Sequence, residues 1–221
     1  MDSDNIILDM HIHSHYSRDS ILSLKEISSY ARREGVTPVI CDHNSIQGSL
    51  KYNQLDYFHD DHVPSIISAE IKTTKGEIIG LFINEEIPPY LSPEETLDII
   101  MDQGGIAVIP HPGDRYRKSA MKYEIISSLL PKIHTIEVYN SRTLSPGDII
   151  SAKKYATEHG LLVTGGSDAH CRWELFRTTV RIAPFDSPKE FLKNLRYADI
   201  RYKRSLPMYH LISIMSRRLR K

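Results

Sequence analysis

"LDMHIHSHYSRDS", residues 8–20, places His11, His13 and His15 on alternate positions and follows them with Asp19. Imidazoles crowded in this way repel one another once protonated, and they stand directly behind the apolar residues Ile6, Ile7 and Leu8. Such a segment reads either as a polar turn after a strand or as a strand whose end opens into a site. On an extended segment His11 and His13 project to the same side, so two neighbouring rings can grip one ion. What the other strand ends carry decides between the two readings.

Short apolar runs recur at 6–10, 36–41, 63–69, 78–83, 106–110, 135–139, 161–164 and 178–182. Most are continuous rather than alternating, as strands covered on both faces are. Helical patterns with start signals lie between them. Ser23-Leu24-Lys25-Glu26 is a capping-box pattern, followed by the apolar stripe Ile27, Tyr30 and Ala31. Ser92-Pro93-Glu94-Glu95 and Ser187-Pro188-Lys189-Glu190 repeat it with proline at the first helical position, and Ser145-Pro146 is a weaker relative. The alternation implies parallel strands joined by right-handed crossovers, in an open sheet or a closed barrel.

The 221 residues suit a single domain over 1–221, with 196–221 as a basic C-terminal helical tail. Lys and Arg number 28, as do Asp and Glu, so no global charge draws the chain to nucleic acid or an anionic membrane. Cys41 and Cys171 are too few for a disulfide framework. The N-terminus is acidic where a signal peptide would be basic, and no apolar stretch approaches the roughly 18–20 residues of a membrane span. A soluble cytoplasmic protein is the expectation.

The unusual polar residues fall on one edge of this map. His11 and His13 end the first strand, Asp42 and His43 the second, and Glu70 the third. His111 ends "IAVIPHPGD", Glu137 lies in "TIEVYNS", and Asp168 and His170 follow "LLVTGGSDAH". In β/α architectures the C-terminal strand ends converge on one mouth, where sites are built. His59, His62, His134, His159 and His210 lie elsewhere and read as structural or solvated; His15 is not expected to ligate directly. Imidazoles and carboxylates without a competing thiolate set suit Zn, Mn or Fe. The chain lacks the Gly-x-Ser-x-Gly elbow, the Gly-x-Gly-x-x-Gly fingerprint and a Walker loop, which argues against a serine nucleophile and a bound nucleotide cofactor.

In order, "DMHIHSHYSRDS", "CDHNSIQG", "AEIKT", "HPGD", "EVYNSR" and "SDAH" resemble the motif series of the PHP family, the polymerase and histidinol phosphatase domains, from residue 9 to about 185. The resemblance implies an α/β chain folded as a distorted seven-stranded (β/α)7 barrel, with a trinuclear metal site at its C-terminal mouth. Carried over by position, His11 and His13 would bind one ion with Glu70 and Asp168. Glu70 would bridge to a second ion completed by His111 and Glu137, and Asp19, His43 and His170 would hold the third. The first piece has one extra residue before its aspartate. Three divalent ions (Zn, Mn or Fe) would more than neutralise these carboxylates and attract a phosphate.

The resulting expectation is a metal-dependent phosphoesterase that hydrolyses a small phosphomonoester, a nucleotide or metabolite phosphate, through a metal-activated hydroxide. The alternatives are a nuclease acting on oligonucleotide ends and a non-catalytic metal-binding accessory module. A small phosphorylated substrate is the expected partner, nucleic acid the lesser candidate, and the oligomeric state is open. Arg115, Arg117, Arg142 and Arg172 follow the ligand positions, and the preferred phosphate contacts are Arg142 and then Arg115, with Lys72 a further candidate. Asp42 would orient His43 or take part in proton transfer. Residues 71–110 leave no chain for a capping insertion, so an open mouth is expected. Leu211, Ile212, Met215 and Leu219, at helical spacing, predict an amphipathic helix that closes the barrel.

Overall fold

In the computed structural model residues 5–55 and 65–219 are described. His59, His62, the first residues of the third apolar run, Arg220 and Lys221 lie outside them. The elements in chain order are β1 (Ile6–Ile12), α1 (Leu24–Glu34), β2 (Thr37–Ile40), α2 (Gln47–Asn53), β3 (Ser68–Thr73) and β4 (Gly76–Leu81). Next come α3 (Pro93–Asp102), β5 (Ile106–Ile109), α4 (Tyr123–Leu129), β6 (Thr135–Asn140), α5 (Pro146–His159) and β7 (Leu162–Gly166). The last are β8 (Thr178–Ile182), α6 (Pro188–Leu195), β9 (Asp199–Tyr202) and α7 (Met208–Leu219).

The helix starts follow the sequence signals. Ser23 and Ser92 make full capping boxes with Glu26 and Glu95, so two otherwise orphaned backbone N–H groups are satisfied at each helix start. At Ser187 half the box forms: its hydroxyl accepts from the Glu190 N–H, while the Glu190 carboxylate turns to the Asp186 N–H instead. Ser145 makes no side-chain cap, although Pro146 still begins α5.

The barrel does not form. Among the described residues the strands make two mixed sheets, β2-β1-β8-β9 and β3-β4-β5-β6-β7, and no closed barrel. The ring of strands stays open where two parallel contacts do not lengthen past a single bridge, and strand direction also departs from the (β/α)7 pattern. β3 with β4, β4 with β5, β1 with β8 and β8 with β9 all pair antiparallel, so hairpins and returns replace a continuous parallel series. Between the sheets the ladder shrinks to single bridges, Ile12 with Ala169 and His43 with Glu70. β9, of sequence DIRY, is a polar strand absent from the expected set. It lies at the sheet edge, where charged residues discourage further pairing.

The core follows the two sheets. Leu8, Met10, Val39, Val180 and Ile182 from one sheet meet Ile79, Leu81 and Val108 from the other, and α6 adds Phe191 and Leu195. On its outer face the five-stranded sheet sends Ile71, Ile78, Ile109 and Ile136 against Leu97 and Ile100 of α3, Ile126 of α4 and Ala152 of α5. α7 departs from its expected orientation. Leu211, Met215 and Leu219 are 61%, 62% and 83% exposed, while Ser213 and Ser216 face inward and are buried. No helix among the described residues is long and apolar enough to cross a membrane.

Candidate metal centre

Backbone ties bring the strand ends together at the seam between the sheets. The His13 N–H donates to the Ala169 carbonyl (2.9 Å), the Asp168 N–H to the His11 carbonyl (2.7 Å), and the Glu70 N–H to the Asp42 carbonyl (3.1 Å). His111 and Asp168 sit in the left-handed region, at φ 33° and 53°, a conformation that side-chain-bearing residues hold only where the surroundings impose it. A Cβ on Gly166 would come within 2.4 Å of the His11 Cβ, so glycine is what allows β7 to approach β1 here.

His11 and His13 aim the same nitrogen inward. His11 Nδ1 lies 3.1 Å from Glu137 Oε1, an obligate acceptor, so Nδ1 carries the proton. Ser17 Oγ donates to Asp42 Oδ1 (2.7 Å), so it accepts from His13 Nδ1 at 3.2 Å. Each ring thus has its Nδ1 engaged and turns its Nε2 toward the other's, only 3.0 Å apart. Glu70 and Asp168 close in on the same point: His13 Nε2 is 3.5 Å from Glu70 Oε2 and 3.3 Å from Asp168 Oδ1. Asp168 Oδ1 is buried and has no hydrogen-bond partner.

The other ligand candidates surround this group. His43 Nδ1 is 2.9 Å from Glu70 Oε2, and His43 Nε2 is 3.3 Å from Asp19 Oδ2. His170 Nε2 lies 3.6 Å from Asp19 Oδ1, so the extra residue in the first motif does not carry Asp19 away from these rings. His111 Nε2 is 3.0 Å from Glu70 Oε1 and 3.6 Å from Glu77 Oε2. Glu137 faces His11 Nδ1 and the His111 backbone N–H, at 3.1 Å and 3.0 Å.

The electrostatics are those of a binding site for positive charge. Burial opposes ionisation of Glu70, but His11, His111 and His43 hold its carboxyl well below the usual range. Asp168 is likewise buried yet held low, by Arg117 and His11 above all. Burial and the neighbouring Arg142 press His170 well below its ordinary pKa, keeping it neutral as a metal ligand must be.

The donor set fits divalent ions. Imidazole and carboxylate are their ordinary ligands, and bonds of about 2.0–2.2 Å would span donor atoms spaced as these are. The Nε2 atoms of His11 and His13 facing each other at 3.0 Å, with an unpartnered Asp168 oxygen beside them, mark the point where a cation would be held.

Residues around the donors differ in how free they are. Arg142 is buried and held on every side: Nη1 lies 2.7 Å from His170 Nδ1, Nη2 donates to Ser213 Oγ (2.9 Å), and Nε lies 3.2 Å from Glu174 Oε1. Arg115 turns to Asp148, with contacts of 2.8 Å and 2.7 Å, and does not line the cleft. Arg172 lies over the Trp173 ring. Asp42 accepts from Ser14 and Ser17 and so braces His13 through Ser17 rather than turning to the His43 ring. Arg117, one of the four candidate arginines but not a preferred one, pairs with Asp168 at 2.5 Å and lines the cleft. Glu77 and Glu174 were outside the sequence expectation altogether.

The cleft above the donors has a volume of about 720 Å³, and α7 supplies one of its walls through His210, Ser213, Ile214 and Arg218. Ser216 fixes the helix by donating to the Arg18 carbonyl (3.1 Å). The mouth is therefore partly covered, by a C-terminal element rather than by an insertion.

Residues 151–200 match the family described as PHP-associated. Uncharacterized protein MJ0417 of Methanocaldococcus jannaschii is 33% identical over 199 residues, covering 86% of this chain and 78% of that protein. The chain belongs to the PHP family. Two solved structures resemble this PHP chain in fold. One is a two-domain protein of Bacteroides vulgatus containing a predicted PHP-like metal-dependent phosphoesterase, with a TM-score of 0.72 at 18% identity over 92% of this chain and 68% of that one. The other is an amidohydrolase of Chromobacterium violaceum with bound sulfate and no metal, with a TM-score of 0.62 at 17% identity over 84% of this chain and 95% of that one.

Proposed function

We propose that the chain is a metal-dependent phosphoesterase acting on a small phosphomonoester. One observation carries the reading: a single cleft combines a floor of convergent imidazole and carboxylate donors with a cationic rim. His11, His13, Glu70 and Asp168 would hold one ion, Asp19, His43 and His170 another, and Glu70 with His111 a further one. Divalent ions held there supply Lewis acidity and a nucleophile at neutral pH. The rest is the work of the chain.

Arg117 reaches the cleft while its charge is steadied by Asp168, which leaves guanidinium N–H groups for phosphate oxygens. Lys72, Lys118 and Arg218 line the same cleft and form no salt bridge among the described residues, so they are available to a multiply charged anion. Arg142 holds His170 and Ser213 in place and so positions both a ligand and the α7 wall. The cleft has the size of a small-molecule pocket, and α7 over it favours a small ester above a polymer. The sulfate carried by the Chromobacterium violaceum neighbour, a tetrahedral anion like phosphate, agrees with this reading.

The test is a phosphate-release screen over nucleotides, sugar phosphates, histidinol phosphate and short oligonucleotides, with Mn, Zn and Fe compared. Turnover of monoesters is expected. Activity confined to oligonucleotides, or to amides, would assign the cleft to another reaction.

A further inference from the structure

β3 and β4 pair antiparallel, with Glu70 opposite Ile79 and Lys72 opposite Glu77. Because side chains alternate along a strand, Glu70 and Glu77 lie on one face as diagonal neighbours. β4 runs against β3, so its first residues, not its last, arrive at the site. Glu77 is only 6% exposed and nevertheless lines the cleft. Its Oε2 is 3.6 Å from His111 Nε2, which is itself 3.0 Å from Glu70 Oε1. One donor atom from each of His43, Glu70 and Glu77 can be chosen so that all lie within 4.8 Å of one another. Two carboxylates buried this closely repel when both are charged. A shared cation would remove that repulsion.

Glu137 has other employment. Its Oε1 receives His11 Nδ1 at 3.1 Å, and its Oε2 accepts from the His111 N–H at 3.0 Å and from Asn140 Nδ2 at 2.9 Å. Both oxygens are engaged, in the manner of a carboxylate that stands behind a ligating histidine and fixes its tautomer.

We infer that Glu77, rather than Glu137, completes the ligand set that Glu70 and His111 begin, and that Glu137 positions His11. The inference rests on the metal-dependent reading above. On this assignment the carboxylate that the family motif order would take from β6 comes here from the start of β4.

The test measures ions per chain by elemental analysis of the full-length protein, loaded with Mn or Zn and then desalted, beside the melting of the ion-free and loaded forms. Glu77→Gln should lose about one ion per chain relative to wild type, and Glu77→Asp should recover part of it. Glu137→Gln should retain the ion that Glu77→Gln loses, since its amide oxygen can still accept from His11 Nδ1. The ion-free Glu77→Gln protein should melt close to ion-free wild type, because glutamine is isosteric with glutamate, yet gain less on loading. Wild-type ion content in Glu77→Gln would overturn the inference alone, as would a lost ion in Glu137→Gln with none lost in Glu77→Gln. A wild-type chain that takes up no ion would remove the proposed function with it.

Discussion

Arg142 and Arg117 both reach the cleft, but their surroundings give them different work. Arg142 has Glu174, Ser213 and His170 around a buried guanidinium. Removing it leaves the Glu174 carboxylate buried without its counter-charge, a loss on the order of 3–5 kcal/mol. Arg142→Ala should therefore show a large fall in Tm. Arg117 is anchored at one end by Asp168 and opens to the cleft at the other. A charge-assisted contact of about 1.5–3 kcal/mol predicts that Arg117→Ala lowers kcat/KM by roughly 10- to 100-fold, chiefly through KM. Steady-state kinetics on the best phosphomonoester checks this, and an unchanged KM would remove Arg117 from phosphate binding. Arg115 and Arg117 share one short loop, and nothing in their local pattern says which will be captured. Asp148, at the start of α5, decides it by taking Arg115.

At the scale of elements, α7 makes the next prediction. It covers the cleft with Ser213 and Ser216 turned inward because the rim it meets is polar: one hydroxyl accepts from Arg142 and the other donates to a carbonyl. The hydrophobic spacing of Leu211, Met215 and Leu219 marked a helix correctly but pointed to the wrong face. A chain ended after Leu206 should keep its ion content, lose discrimination among phosphomonoesters and show a raised KM. Unchanged selectivity would show that α7 plays no part in recognition. The same limit applies to β4. Reading strand C-termini brought out the donors near the end of β1 and those just beyond β2, β5 and β7, while Glu70, found at the end of an apolar run, and Glu137, found within one, stand mid-strand in β3 and β6. It passed over Glu77, since an antiparallel strand delivers its beginning there. The apolar runs and capping boxes marked eight strands and most helix starts. The polar edge strand β9 carries no such run, and strand direction, parallel or antiparallel, is not written in hydrophobicity.

For the whole molecule, the seam between the sheets is also where the donors meet. Among the described residues only single bridges, Ile12 with Ala169 and His43 with Glu70, cross it as strand pairs. His11 and His13 approach from one side, and Glu70 and Asp168 from the other. Ions bound there would cross-link the two sheets, and a ligand bound only by the native state stabilises it by about 2.7 kcal/mol when present at 100 times its dissociation constant. Chelation should therefore lower Tm by several degrees, with Mn or Zn restoring it, as differential scanning calorimetry would report. A chelated protein that melts unchanged would separate the donors from the fold.

The cleft is predicted to hydrolyse phosphate esters only when its imidazole and carboxylate donors hold ions. The most direct measurement titrates Mn or Zn into the chelated protein and follows, in the same sample, ions bound per chain and phosphate released from the best monoester. Turnover is predicted to be absent at zero occupancy and to rise with loading. Full turnover in protein shown to carry no ion, or no phosphate release from fully loaded protein on any ester, would rule out a metal-dependent phosphoesterase here.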